Sequence, residues 1–247
     1  MLIVANWKAY VEDGAKAKKL FATSKKLKST HRSDIVLAPP GPLLGMLAMN
    51  NKSSVAFAAQ DVSSTTGGAK TGEVLASVYA NVGATYSIVG HSERRAMGDT
   101  NTTITEKLSH ALAHGLIPIL CIGEHTRDSE GKYLSFIREE LTTALEPLAP
   151  KDRTKIIIAY EPLWAIGKTA TAAIVPADLA EMVSYIRKVL GELLSGKASA
   201  RSLVLYGGSV EPENAFLLAK DSGINGFLVG HASVDVSAFS ALIKNLG

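Results

Sequence analysis

The chain has 247 residues, 47% hydrophobic and 20% charged, a composition that excludes disordered, fibrous and membrane-embedded classes and leaves one large α/β domain or two small ones. Lys and Arg number 26 against 23 Asp and Glu, so the net charge of +3 suits small anions but is too weak and dispersed for a nucleic-acid binder. No apolar stretch approaches the roughly 20 residues needed to span a bilayer.

Taken in chain order, Leu2-Ile3-Val4-Ala5 is too short for the core of a secretion signal and has no cationic leader, so no export is expected. It reads instead as the first of eight apolar, β-rich runs, which begin near Leu2, Asp34, Val55, Tyr86, Ile117, Ile156, Ser202 and Gly226, about 32 residues apart on average. That spacing holds a strand, a helix and two loops. Lys16 to Lys28 spaces its lysines among Ala, Leu and Phe at helical intervals, and a solvated helix face accounts for it better than a phosphate-backbone patch. Thr103 and Glu106 form a predicted capping box ahead of Leu108 to His114 and Gly115, while Pro176 and Pro212 suit first helical positions.

The runs Ile35-Val36-Leu37, Ile156-Ile157-Ile158 and Leu203-Val204-Leu205 are apolar continuously, as in parallel strands covered on both faces. Right-handed crossovers repeated about eight times can curl such a sheet until its edges meet; an open doubly wound sheet is the alternative. Nothing in the composition divides the chain, so residues 1–247 read as one domain. Cys121, the only cysteine, lies inside Ile117-Pro118-Ile119-Leu120-Cys121-Ile122 and reads as packing; it excludes an intrachain disulfide and suits a reducing, cytoplasmic compartment. The polar segment Ser63 to Gly72 is long for a strand-to-helix connection and reads as a lid or an intersubunit contact.

Five short stretches follow or close the strand runs: Asn6-Trp7-Lys8, Gly90-His91-Ser92-Glu93-Arg94-Arg95, Ala159-Tyr160-Glu161-Pro162-Leu163-Trp164, Tyr206-Gly207-Gly208-Ser209 and Gly226-Phe227-Leu228-Val229-Gly230. In a closed parallel sheet all five open on one rim. A period of two aims Asn6 and Lys8 into that rim and turns Trp7 toward packing. His91 stands just before a predicted helix start, where a neutral imidazole could polarise a carbonyl; taken alone it reads first as a structural hydrogen-bonder. Glu161 ends an apolar strand and is a candidate proton acceptor, with a core ion pair as its other reading. Ile166-Gly167-Lys168-Thr169 mimics the end of a nucleotide-binding P-loop but has Pro162 where that loop needs glycine. Gly207-Gly208-Ser209 and Gly230 offer small residues where backbone N–H groups could converge on phosphate, or simply tight turns.

With these residues assembled, the chain resembles the triosephosphate isomerase family from Leu2 to Leu246, all five signatures standing in order. The resemblance implies a single (β/α)8 TIM barrel, a homodimer, and interconversion of dihydroxyacetone phosphate and glyceraldehyde 3-phosphate without metal or organic cofactor. It implies Glu161 as the base, His91 as the electrophile and Lys8 with Asn6 beside the enediolate. Trp7, Gly167, Ser209, Gly230 and His231 join the substrate-binding set, and Glu93 supports the site from behind. Thr71 would approach the neighbouring subunit, and Glu73 would pair with Arg94 across the interface. Two departures stand out. The Thr-Gly pair common after Gly167 is replaced by Lys168-Thr169-Ala170-Thr171, with Ala172 to Val175 before Pro176; and His231 stands where the family commonly has glycine, which requires a negative φ there. A barrel kept for phosphate binding or adhesion after weakened chemistry is the alternative function.

Overall fold

A computed structural model describes residues 1–49, 51–167, 174–194 and 202–247. Eight parallel strands close a barrel in simple sequence order: β1 (Leu2–Asn6), β2 (Asp34–Ala38), β3 (Ala56–Ala59), β4 (Tyr86–Val89), β5 (Ile117–Ile122), β6 (Ile157–Tyr160), β7 (Val204–Tyr206) and β8 (Gly226–Val229). Every strand starts within two residues of its predicted start. The closed ring, rather than the open doubly wound sheet, satisfies the backbone groups of β1 and β8 against each other, with Leu2 opposite Gly226 and Ala5 opposite Val229.

Side-chain alternation divides the apolar residues into two cores. Leu2 and Val4 of β1 join Val36, Ala38, Ala58, Ile88, Ile119, Cys121 and Leu228 inside the barrel. Ile3, Ala5 and Trp7 face outward with Ile35, Leu37 and Phe57, where the helices cover them. The strands are apolar on both faces because both faces are buried. Cys121 is 1% exposed, and burial, followed by the neighbouring Glu161 carboxylate, pushes its thiol well above the ordinary range, so it packs as an apolar group.

The surrounding helices are α1 (Gly14–Thr30), α2 (Gly41–Ala48), α3 (Ala76–Asn81), α4 (Ser92–Ala96), α5 (Asn101–Ala113), α6 (Lys132–Leu145), α7 (Pro150–Arg153), α8 (Pro176–Leu193), α9 (Pro212–Asp221) and α10 (Val236–Asn245). Pro176 and Pro212 occupy first helical positions as predicted, and Lys16, Lys18, Lys19, Lys25 and Lys26 lie on the exposed face of α1. The capping box at Thr103 and Glu106 does not form. Helix α5 starts earlier because Thr100 is the cap, its Oγ1 accepting from Thr103 N at 3.2 Å, which leaves Thr103 inside the helix. Among the described residues no helix is long and apolar enough to cross a membrane.

Barrel closure places a steric condition on Gly226. A Cβ there would lie 1.8 Å from the Leu2 carbonyl oxygen across the β1–β8 seam. Gly226→Ala is therefore expected to destabilise the fold by about 3 kcal/mol or more, since backbone on both sides must shift. At roughly 2–4 °C per kcal/mol for a chain of this size, thermal unfolding should show the midpoint dropping by about 6 °C or more, and an unchanged midpoint would refute the seam geometry.

Candidate active site

All the strand-end motifs reach one mouth of the barrel, where Asn6, Lys8, His91, Glu161, Gly167, Ser209, Gly230 and His231 line a cavity of about 250 Å³. Asn6 closes β1 and is 5% exposed. The chain then bends, with Lys8 at φ +46°, the sole positive-φ non-glycine residue among those described. Three contacts hold that unfavourable backbone: Asn6 Oδ1 accepts from Lys8 N at 3.1 Å, and Gln60 Nε2 donates to the carbonyl oxygens of Lys8 and Ala38 at 2.9 and 2.8 Å. The bend turns the ammonium of Lys8 into the cavity. Its Nζ rests 2.7 Å from Glu93 Oε1.

Trp7 must be corrected. Placed with the substrate-binding residues on the resemblance, it is wholly buried in the outer core and does not line the cavity, because β1 alternation points it away from Asn6.

His91 follows β4 and is the N-cap of α4. Its Nδ1 accepts the backbone N–H of Glu93 at 3.1 Å, which assigns the ring proton to Nε2. That Nε2 lies 3.3 Å from Glu161 Oε1. Glu93 does not line the cavity itself but contacts two residues that do, Lys8 and His91, and its side chain is 58% exposed. Partial burial raises its pKa, but the hydrogen bond and charge of Lys8, with His91 nearby, outweigh this and hold the carboxyl below the usual glutamate value.

Glu161 leaves β6 with a side chain only 2% exposed. Its Oε2 accepts from Ser92 N at 3.3 Å, at the start of α4. Two glycines create its niche. A Cβ on Gly207 would come within 2.8 Å of Glu161 Cγ, and one on Gly123 within 1.8 Å of the Glu161 carbonyl oxygen. The turn that follows, Leu163–Ala165, is anchored by Glu124, whose Oε1 accepts from both Tyr160 Oη and Trp164 Nε1 at 2.8 Å. The guanidinium of Arg127 stacks 5.4 Å from the Trp164 ring.

On the other side of the cavity, Ser209 Oγ donates to Ala165 O at 2.9 Å, tying the β7 loop to the turn after Glu161. Gly230 precedes a short 3-10 turn, His231–Val234. His231 has no positive φ, as its side chain requires, and its ring stands edge-on to Tyr10 at 6.2 Å. Gly167 has φ +71°. Lys168 to Ala173, which carry most of the departure in the loop after it, lie outside the described residues.

Several supporting residues escaped the sequence reading. Gln60 and Glu124 each stand one or two positions after an apolar strand, the same signal that marked Glu161. Arg95 and Glu140 carried no such signal. Glu140 projects from α6, 4% exposed, and accepts from Gly123 N at 2.8 Å, with Arg95 Nη1 3.1 Å away. Burial pushes its carboxyl up to about 7 even against Arg95 and the Gly123 amide.

Thr71, within the Ser63–Gly72 loop, and Glu73, just after it, are exposed, and Ser63 N donates to Val74 O at 3.0 Å across the loop's stem. Arg94 has its Nε 2.9 Å from Oδ2 of Asp61, an ionic contact rather than a well-directed hydrogen bond. Asp61 also binds the buried Lys107.

Chemically, the cavity offers a carboxylate facing an N–H donor, an ammonium beside both, and small residues on the opposite wall. The whole chain matches this arrangement to known proteins. Residues 1–246 match the family model described as Triosephosphate isomerase. Among curated relatives, the protein named Triosephosphate isomerase of Moorella thermoacetica is 37% identical over 248 residues, covering 98% of this chain and 97% of that one. The like-named protein of Thermus thermophilus is 37% identical, covering 100% and 99%, and that of Dictyostelium discoideum is 38% identical, covering 86% and 82%. With a full-length match of this kind on a closed eight-stranded barrel, the chain belongs to the triosephosphate isomerase family, a family of isomerases.

Proposed function

We propose that residues 1–247 act as one catalytic domain that interconverts dihydroxyacetone phosphate and D-glyceraldehyde 3-phosphate in cytoplasmic glycolysis and gluconeogenesis. The observation that carries this reading is the hydrogen bond from Glu93 N to His91 Nδ1, which leaves Nε2 as a proton donor facing the Glu161 carboxylate in a shared cavity.

In the proposed step Glu161 takes a proton from C1. The C1–H electron pair becomes the C1–C2 double bond, and the carbonyl π pair moves to oxygen, where His91 Nε2–H donates to it. Lys8 supplies a positive charge to the enediolate, and Asn6 stands beside it. Glu161 then returns its proton to C2 as the O1–H bond breaks and its electron pair forms the C1 carbonyl, and that hydroxyl proton passes by way of His91 Nε2 to O2, leaving both side chains as they began. The opposition of a glutamate base and a histidine electrophile is the chemistry established for this family. Backbone N–H groups of Gly167, Ser209, Gly230 and His231 hold the phosphate. Their place in the same cavity as His91 and Glu161 supports this division of labour.

The protein also acts as a homodimer. Thr71 and Glu73 stand exposed on a loop with a fixed stem, and the apolar side chains of Met49, Val78 and Met97 are 70%, 47% and 75% exposed on the isolated chain. In the dimer Thr71 approaches the partner's cavity near Asn6 and Lys8, and Glu73 joins Arg94 across the interface.

Given dihydroxyacetone phosphate in heavy water, the purified protein should exchange a C1 proton for deuterium and yield glyceraldehyde 3-phosphate. Binding without turnover would favour a barrel kept for phosphate recognition. Glu161→Gln should lower kcat by about 10³-fold while a phosphate-bearing analogue still binds within about threefold. His91→Gln should lower kcat by about 10²-fold with little change in thermal midpoint. Near-normal turnover in the first, or lost stability instead of lost turnover in the second, would remove that residue from its role. Light scattering should give about twice the chain mass of 26.1 kDa; a species of single-chain mass at micromolar concentration would exclude the dimer.

A further inference from the structure

We propose that Glu140, on the outer helix α6, is a positioning residue for the isomerase reaction: through Gly123 and Arg95 it holds the ends of β5 and β4 so that Glu161 and His91 keep their separation across the cavity. The proposal rests on the reading of Glu161 and His91 as the reacting pair.

The tethers form a continuous chain. Glu140 Oε2 accepts from Gly123 N at 2.8 Å. Gly123 lies flat against the backbone of Glu161, where no side chain fits. Glu140 Oε1 pairs with Arg95 Nη1 at 3.1 Å. The same guanidinium donates from Nε to Gly90 O at 2.9 Å and from Nη2 to Cys121 O at 3.2 Å, with Asn101 Oδ1 accepting from Nη1 at 3.0 Å. Gly90 is the residue before His91. Arg95 therefore binds β4 to β5, and Glu140 fixes both Arg95 and the residue that backs Glu161.

Glu140 touches no part of the reaction cavity. It faces a second cavity, of about 310 Å³, on the outer side of the strand ends, bordered by Arg95, Gly123, His125, Phe136 and Glu139. Space there would let α4 and the β5 end shift if the tethers were cut. A buried carboxylate is also a poor way to gain stability. Because its folded-state pKa of about 7 lies above the ordinary 4.5, the stability it contributes is full below about pH 4.5 and is lost as pH rises through about 7. The groups setting its charge are Arg95 from α4, Glu161 after β6 and Glu124 after β5, with His125 and Glu139 on the cavity wall. An amide would fill the site without that penalty, but it cannot accept from both Gly123 and Arg95 at once.

Steady-state kinetics and thermal unfolding on Glu140→Ala and Glu140→Gln test this. Glu140→Ala is expected to lower kcat about tenfold with KM within twofold, because alignment is lost while the phosphate wall is untouched. Glu140→Gln should recover part of kcat, have a thermal midpoint at pH 8 no lower than wild type, and lack the acid limb near pH 7 in the wild-type kcat profile. Wild-type kcat in Glu140→Ala overturns the proposal. So does a loss that follows only the folded fraction, and so does an acid limb unchanged in Glu140→Gln. Turnover by the wild-type protein itself separates failure of this proposal from failure of the isomerase reading.

Discussion

Closure of the parallel sheet is the constraint on which the rest depends. Once β1 pairs with β8, no strand edge remains, and every strand must point the same way around the ring. Side chains inside the barrel are then packed to exclusion, so chemistry can occur only beyond the strand ends. Residues separated by up to 225 positions, such as Asn6 and His231, line one cavity for that reason alone. The seam tolerates this only because Gly226 lets β8 approach Leu2.

Above that ring, backbone groups rather than charges do most of the orienting. The first amides of α4 serve two side chains: Glu93 N fixes the His91 ring, and Ser92 N receives Glu161. The positive end of even so short a helix favours acceptors there. Lys8 is held in its bend by Gln60 and Asn6, so its ammonium is aimed by strain that other residues offset. Its ion pair with Glu93 is solvent-exposed and therefore weak, which leaves the ammonium free to exchange that partner for an anionic substrate.

Much of this was legible in the amino-acid order. Strand starts were readable because a doubly covered strand is an unbroken apolar run, and period-two alternation placed Asn6 inside and Trp7 outside even where the family resemblance grouped them together. The helix start at Thr100 was missed because two threonines three apart both satisfy a capping pattern, and only the backbone geometry chooses between them. Gln60 and Glu124 carried the strand-end signal without a motif around it. Arg95 and Glu140 were illegible as a pair: they come from α4 and α6, 45 positions apart, and nothing local announces that their side chains meet.

The central claim is that the fold presents His91 to Glu161 as an Nε2–H donor, with Nδ1 occupied by the Glu93 amide. Nitrogen-15 NMR of the histidine-labelled protein, with His91 assigned by comparison with His91→Gln, reads this directly. The account predicts Nδ1 as the acceptor nitrogen and a proton on Nε2. A proton on Nδ1 would contradict it.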